Sequence, residues 1–391
     1  MIYLDNAATA NPKAPGVGEA MARSLSDCNA NPGHGGHRLA VGATLAVYAA
    51  RASLARLLGV SDPSRLVFTS GATAALNQAI WGSLPAHGGH VVCSPWEHNA
   101  VLRPLWAWRS RGGGAVTVLP ARDGGTISTD DLERALRPDT SLIVLTAASN
   151  VTGALQPVAE AGEIARRRGV RFLVDGSQVA GHLPLRLETL PLDLWACPGH
   201  KGLLGPQGIG VLYVRPGLEL PPLLLGGAGF DSSSEGPPEE APERYEAGTL
   251  NTPGILGLGA AADYLLAQDP AAAREREVAL LHRLVRGLSA VRGVRIHAAR
   301  EPRGGVCVAS VVIAGWSPGA AAEALEADAG ICARSGLHCA PLAHRALGTA
   351  PEGTVRLSAG PFTTEADVEA AVAAVARLAA RTPSPDAIPV A

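Results

Sequence analysis

Of the 33 basic residues in this 391-residue chain only two are lysine, Lys13 and Lys201. A sequence drifting this far toward arginine keeps lysine most readily where a primary amine is required, because an amine forms a Schiff base with an aldehyde and a guanidinium does not. Lys201 stands in Ala196-Cys-Pro-Gly-His200-Lys201-Gly-Leu-Leu-Gly-Pro-Gln-Gly-Ile-Gly210, an apolar, Gly-rich stretch rather than a charged face. Such backbone lets a ligand approach closely. Partial desolvation there lowers the pKa of an amine and makes it nucleophilic. On composition alone Lys201 reads equally as a leftover surface lysine.

Three other places carry chemistry of the same kind. Thr69-Ser-Gly-Ala-Thr-Ala-Ala75 joins a strand to a helix through small residues, so the N–H groups of Ala72 and Thr73 and the Thr73 hydroxyl suit a phosphate; the same residues also read as an ordinary helix cap. Phe172-Leu-Val-Asp175-Gly-Ser-Gln178 puts a carboxylate at the end of an apolar strand, where it can pair with a cationic ring nitrogen or simply cap a helix. In Pro95-Trp-Glu-His98-Asn-Ala, His98 can stack on a flat ring and move protons, or serve structure alone. An aldehyde that carries a phosphate and a protonated ring nitrogen would meet all four, and pyridoxal 5'-phosphate (PLP) is such a molecule.

The elements that must position these residues alternate between short apolar runs and amphipathic segments. Val41, Leu45, Tyr48, Ala52 and Ala55 recur at helical spacing after a Gly-rich loop over 31–36. Strands are expected at 66–69, 91–93, 142–146, 171–174, 194–197 and 208–214, with helices over 74–84 and 157–168. Alternation of this kind predicts an open, mostly parallel sheet covered on both faces, with ligands at the carboxyl ends of its strands. The segment 226–245, rich in Ser, Pro and Glu, reads as a solvated loop. Beyond Pro253 come helical patterns to about Gly287, strands at 294–296 and 307–313, and helices over 320–327 and 365–381, a smaller α+β domain. The tail from Thr382 reads as frayed.

Composition narrows the function classes. The formal net charge is −2 and no dense basic run occurs, which argues against nucleic acid and membrane surfaces as partners. No stretch of 18 apolar residues and no signal-peptide pattern appears, so a cytoplasmic protein is expected. The six cysteines (Cys28, Cys93, Cys197, Cys307, Cys332 and Cys339) are scattered, without a CxxC pair, and suggest neither a disulfide framework nor a metal site.

The order of phosphate turn, histidine, strand-end Asp and Gly-His-Lys resembles the class V aminotransferase family of PLP enzymes. Within it the likeness is to the NifS-like branch of cysteine desulfurases and selenocysteine lyases. The motifs run over nearly the whole chain: Tyr3-Leu-Asp-Asn-Ala-Ala-Thr9, Gly71-Ala-Thr-Ala-Ala-Leu-Asn77, Glu97-His-Asn-Ala100, Ser149-Asn-Val-Thr-Gly153 and Val174-Asp-Gly-Ser-Gln178. Gly199-His-Lys201, Glu246-Ala-Gly-Thr-Leu-Asn-Thr252, Arg334-Ser-Gly-Leu-His-Cys-Ala340 and Val355-Arg-Leu-Ser358 complete them.

The resemblance implies the α/β architecture of PLP-dependent transferases of fold type I, with a large domain at 15–254 and a small α+β domain at 255–391, joined by residues 1–14. By the same resemblance Lys201 would hold the cofactor and shuttle the substrate α-proton, and Asp175 would bind the ring nitrogen. Gln178 would bind the phenolic oxygen, His98 would stack on the ring, and Ala72, Thr73 and His200 would hold the phosphate. Asn150 would lie near substrate and cofactor, Arg356 would pair with the substrate carboxylate, and Thr249 would complete the phosphate site of a homodimeric partner. Cys339 matches the cysteine that takes sulfur from L-cysteine as a persulfide and passes it to an acceptor protein. Pro198, Leu250 and Leu337 depart from the family pattern, the last standing where a second histidine is common. L-selenocysteine as substrate, another amino acid handled by an aminotransferase or C–S lyase, and a non-catalytic sulfur-trafficking scaffold are the alternatives. Only the persulfide route needs Cys339.

Overall fold

A computed structural model describes residues 1–27, 29–33, 35–227 and 234–381. The first half runs β1 (Ile2–Tyr3), α1 (Val17–Ser26), α2 (Arg38–Leu58), β2 (Leu66–Thr69), α3 (Ala72–Ser83), β3 (His90–Cys93), α4 (Asn99–Ser110), β4 (Ala115–Val118), α5 (Thr129–Ala135), β5 (Thr140–Thr146), α6 (Val158–Arg168), β6 (Arg171–Asp175), β7 (Leu194–Pro198) and β8 (Gly210–Val214). Then follow α7 (Thr252–Leu266), α8 (Pro270–Ser289), β9 (Val294–Ala298), β10 (Val308–Ile313), α9 (Pro318–Ala329), β11 (Ile331–Cys332), β12 (Arg334–Gly336), α10 (Pro341–Leu347), β13 (Thr354–Ser358) and α11 (Glu365–Ala379).

Seven strands form one sheet in the order β2-β8-β7-β6-β5-β3-β4, parallel except for β8. The continuous apolar runs of β5, β6 and β7 are buried on both faces, as a sheet covered by helices on two sides requires. The register fixes the site. Thr146 pairs with Asp175 and Asp175 with Ala196, so these strands end together, and Gly210 lies opposite both Pro198 and Thr69. The carboxyl ends of β2, β3, β5, β6 and β7 therefore open on one edge, and each is followed by one of the expected site segments.

A second, antiparallel sheet has the order β12-β13-β10-β9 and packs on α8, α9 and α11 around its own apolar core. The N-terminus belongs to this unit: β1 pairs with β11, and Leu4 is buried in the second core. Helix α7 packs instead on α1 and α2, and its Ile255, Leu258 and Ala262 join the core of the large sheet. The expected division at 254/255 thus falls within α7.

The expected helix after the Gly-rich loop forms as α2, capped by the His37 ring at its start and by left-handed Gly59 at its end. Its buried face, however, is Ala40, Ala43, Val47, Ala50, Leu54 and Leu58, while Val41, Leu45 and Tyr48 of the expected stripe are exposed. The helix is apolar on two sides, and periodicity alone does not say which side meets the core. By length and composition α2 is also apolar enough to cross a membrane. Here it packs along α7, and its Arg51 is buried against Glu246. The loop expected over 226–245 has neither helix nor strand among its described residues, 226–227 and 234–245. Its residues 228–233 and the tail from Thr382 lie outside the described residues.

The Arg51–Glu246 pair is bidentate, 2.7 and 2.8 Å, and Glu246 Oε1 also accepts the N–H of Phe68 at 2.6 Å. It ties α2 and the edge strand β2 to the segment that precedes α7. Breaking a buried pair leaves an uncompensated charge, so Arg51→Met is expected to lower stability by about 3–5 kcal/mol. Denaturant unfolding measures this, and a loss below about 1 kcal/mol would show that the pair does not anchor the helix.

Candidate active site

A cavity of about 440 Å³ opens at the carboxyl edge of the large sheet and is closed by the second sheet. Ten of the eleven expected site residues line it: Ala72, Thr73, His98, Asn150, Asp175, Gln178, His200, Lys201, Cys339 and Arg356. The exception is Thr249, which is exposed and lies outside the cavity wall.

Helix α3 begins here with Gly71 at φ 148° and no side-chain cap, so the ordinary-cap reading of this turn does not hold. The first N–H groups of a helix lack intrahelical partners, and on the cavity wall they form a ready anion site. A Cβ on Gly210 would meet the Gly71 backbone at 2.6 Å, so the strand beneath must carry glycine. His200 lines the same end with its Nδ1 buried and without a partner among the described residues. Pro198, also on the wall, offers no N–H.

Asp175 is buried and accepts the Ser177 N–H on Oδ1 at 2.9 Å; no helix follows, so it is not a helix cap. His98 does cap α4, its Nδ1 accepting the Ala100 N–H at 3.0 Å, which leaves its proton on Nε2. Burial, with Lys201 nearby, pulls His98 down to about 4, so its ring is neutral. Lys201 is pushed down to about 8 by burial, with Asp175 opposing and Arg356 and Arg334 reinforcing the shift. Gln178 is held by its amide N–H on the Ala7 carbonyl at 3.1 Å.

Arg334 and Arg356 are direct partners across β12 and β13, an arrangement that is destabilising for like charges. Asp5 offsets one of them, accepting from Arg356 Nη2 at 2.8 Å, while Arg356 Nη1 donates to the Asn150 carbonyl at 3.2 Å. Arg356 Nε remains buried without a partner among the described residues. The surplus positive charge on this wall favours an anion such as a carboxylate.

Cys339 is exposed, whereas burial pushes the thiols of Cys93, Cys197 and Cys307 up, Cys197 to about 12. It sits in an unusual loop. His338 and Cys339 both adopt left-handed backbone, at φ 48° and 58°, which costs on the order of 1–2 kcal/mol per non-glycine residue. The loop is over-determined by its contacts. Asn150 Nδ2 donates to the His338 carbonyl at 2.7 Å, the Asn99 N–H to the Cys339 carbonyl at 2.7 Å, and His338 Nε2 meets Thr354 Oγ1 at 3.1 Å. Asn150 thus holds the thiol loop as well as lining the cavity.

Several contributors escaped sequence reasoning. Asp5 orients Arg356 from within the Tyr3-Leu-Asp motif. Glu97, buried beside His98, accepts from Ser94 Oγ and the Thr146 N–H, and burial raises its carboxyl to about 8, so it stays protonated at neutral pH. The signal for both was present in the quoted motifs, but their partners lie far away in sequence.

An uncapped helix start, an amine of depressed pKa and a strand-end carboxylate meet in one cavity at the carboxyl edge of a mostly parallel sheet, the architecture of PLP-dependent enzymes of fold type I. The chain matches the Aminotransferase class-V family over residues 2–371 and belongs to that family. It is 34% identical to a probable cysteine desulfurase of Methanothermobacter thermautotrophicus over 94% of this chain and 92% of that one. Among solved structures it resembles the apo cysteine desulfurase of Thermococcus onnurineus NA1, with a TM-score of 0.91, 32% identity and coverage of 97% and 94%. The cysteine desulfurase CsdA of Escherichia coli, in an S-sulfonic acid form, matches with a TM-score of 0.86, 32% identity and coverage of 96% and 94%. The family is PLP-dependent in general.

Proposed function

We propose that the protein is a PLP-dependent cysteine desulfurase, which converts L-cysteine to L-alanine and keeps the sulfur as a persulfide on Cys339. The observation that carries this is an exposed thiol, presented on a strained and well-anchored loop, in the wall of the cavity that also holds Lys201, Asp175 and Arg356.

The free N–H groups at Ala72 and Thr73 and the unpartnered His200 Nδ1 fit a phosphate, and Asp175 fits a protonated ring nitrogen. Gln178 would meet the phenolic oxygen, and the neutral His98 ring would stack on the cofactor. Bound at Lys201, PLP supplies an electron sink for the substrate carbon skeleton. Arg356, fixed by Asp5 and the Asn150 carbonyl, receives the α-carboxylate. Lys201 Nζ would take the α-proton and later return it. The Cys339 thiolate attacks the substrate sulfur; the S–S bond forms as the C–S bond breaks, and its electron pair stays with carbon, which is then protonated to alanine. The exposure of Cys339 leaves its persulfide open to an acceptor protein.

The working unit is a homodimer. Leu39, Val41, Leu45 and Tyr48 cluster within about three turns of α2 and Leu223, Leu224 and Leu225 are consecutive, all of them exposed, which is more than singly scattered apolar residues. Exposed Thr249 would then serve the phosphate site of the partner. The two units divide after α7, near 268, rather than at 254, because α7 shares the core of the large sheet.

Purified protein loaded with PLP and given L-cysteine and a thiol reductant should release alanine and sulfide in equal amounts. Transamination products, or no turnover, would refute the reading. Asp175→Ala should keep part of the PLP but lower kcat on the order of a hundredfold or more, since the ring nitrogen loses the carboxylate that keeps it protonated. Turnover within a few-fold of wild type would show Asp175 to be a turn residue only.

A further inference from the structure

The second lysine has no part in the function above, yet both lysines of this arginine-rich chain converge on one dipeptide. Lys13 Nζ donates to the carbonyl of His200 at 2.9 Å and to Thr9 Oγ1 at 3.0 Å. The same carbonyl accepts the Thr9 hydroxyl at 3.2 Å and the Ala10 N–H at 2.9 Å. A carbonyl oxygen has two lone pairs, so three donors on one oxygen is a crowded arrangement. That oxygen belongs to the peptide bond joining His200 to Lys201.

The clamp continues past the lysine. Ala14 N–H donates to the Leu204 carbonyl at 3.1 Å, and Leu204 N–H closes a turn onto the Lys201 carbonyl at 2.7 Å. Leu204 is one of three non-glycine residues at positive φ among the described residues, at 59°, so this turn also carries backbone strain that its contacts must hold. Residues 9–14 thus form a strap along the Lys201 turn. Further back, the same strap carries Asp5, bound to Arg356.

We propose that Lys13 is a positioning residue for Lys201 and His200: its ammonium locks the His200–Lys201 peptide to the N-terminal strap and so sets the affinity for a phosphate-bearing aldehyde. This rests on the reading of Lys201 as the cofactor lysine. The choice of lysine over the arginine used nearly everywhere else follows from shape. A compact ammonium in a half-buried site reaches two acceptors around one point, whereas a longer planar guanidinium spreads its donors over a fork.

The test titrates the cofactor-free chain with PLP across pH, for wild type, Lys13→Met and Lys13→Arg. Lys13→Met should weaken binding on the order of tenfold or more, the usual scale for losing charge-assisted bonds of this kind. The pH profile separates this role from a packing role. Burial, then Lys201, then Lys13 hold His200 down at about 4, and the two lysines are the charged groups acting on it. Removing Lys13 should therefore move to higher pH the inflection that His200 contributes, which lies on the acid side of the one set by Lys201. Lys13→Arg should return that inflection toward wild type while leaving the affinity weakened. Affinities within twofold of wild type in both variants, or an unmoved inflection in Lys13→Met, would overturn the proposal. If Lys13→Met does not fold, Lys13→Arg decides it through affinity alone, wild-type binding being the contrary result. A wild-type chain that captures no PLP overturns the cofactor reading instead, and that control tells the two failures apart.

Discussion

Lys201→Ala is expected to leave the protein colourless after incubation with PLP and to lower turnover of L-cysteine on the order of a thousandfold or more. Two functions vanish at once: the amine that captures the aldehyde and the base that moves the α-proton. The environment explains why this amine serves. Burial brings it to about 8, with Arg356 and Arg334 adding to the shift. About one-tenth of it is then neutral at pH 7, against fewer than about one in a thousand for an ordinary lysine. Because only the neutral amine attacks, the rate of cofactor capture should rise with pH and level off above about 8. A visible band of wild-type intensity in Lys201→Ala would remove the basis for the whole site.

Cys339→Ala should bind PLP and L-cysteine as wild type does, since Lys201, Asp175 and Arg356 are untouched. It should nevertheless lose persulfide formation and lower alanine production from L-cysteine on the order of a hundredfold or more. No other described cysteine can substitute: Cys93, Cys197 and Cys307 are buried with their thiols held protonated, and Cys332 is half-buried in β11. L-Selenocysteine is the informative second substrate, because its weaker carbon–selenium bond places less demand on an attacking thiolate. Activity retained on selenocysteine alone would assign the chain to the lyase branch. Full desulfuration of cysteine by Cys339→Ala would refute the persulfide route and leave Cys339 as a small wall residue.

Much of this site is legible in the amino-acid order because its pieces are local. The strand ends at Thr69, Thr146, Asp175 and Pro198 announce themselves as apolar runs followed by small or polar residues, and parallel pairing then aligns them on one edge. Each such piece needs only its own neighbours to be recognised. What stayed hidden depends on distant partners. Nothing near Asp5 says that it will meet Arg356, 351 positions away, and nothing near Asn150 says that it will hold the loop of Cys339. Val41, Leu45 and Tyr48 show the same limit in another form, since their spacing marks a helix but the helix has apolar residues on both sides. Helix α7 shows a similar limit: an Ala- and Gly-rich helix carries little face preference until α1 and α2 pack against it.

The most direct measurement is a single turnover without reductant, one equivalent of L-cysteine per PLP-loaded chain, followed by peptide mass analysis and alanine assay. The expected result is about one equivalent of alanine and a Cys339-containing peptide heavier by one sulfur atom, with Cys93, Cys197, Cys307 and Cys332 unmodified. An equivalent of alanine formed while the Cys339 peptide stays unmodified, or a persulfide found on another cysteine instead, would contradict the central claim.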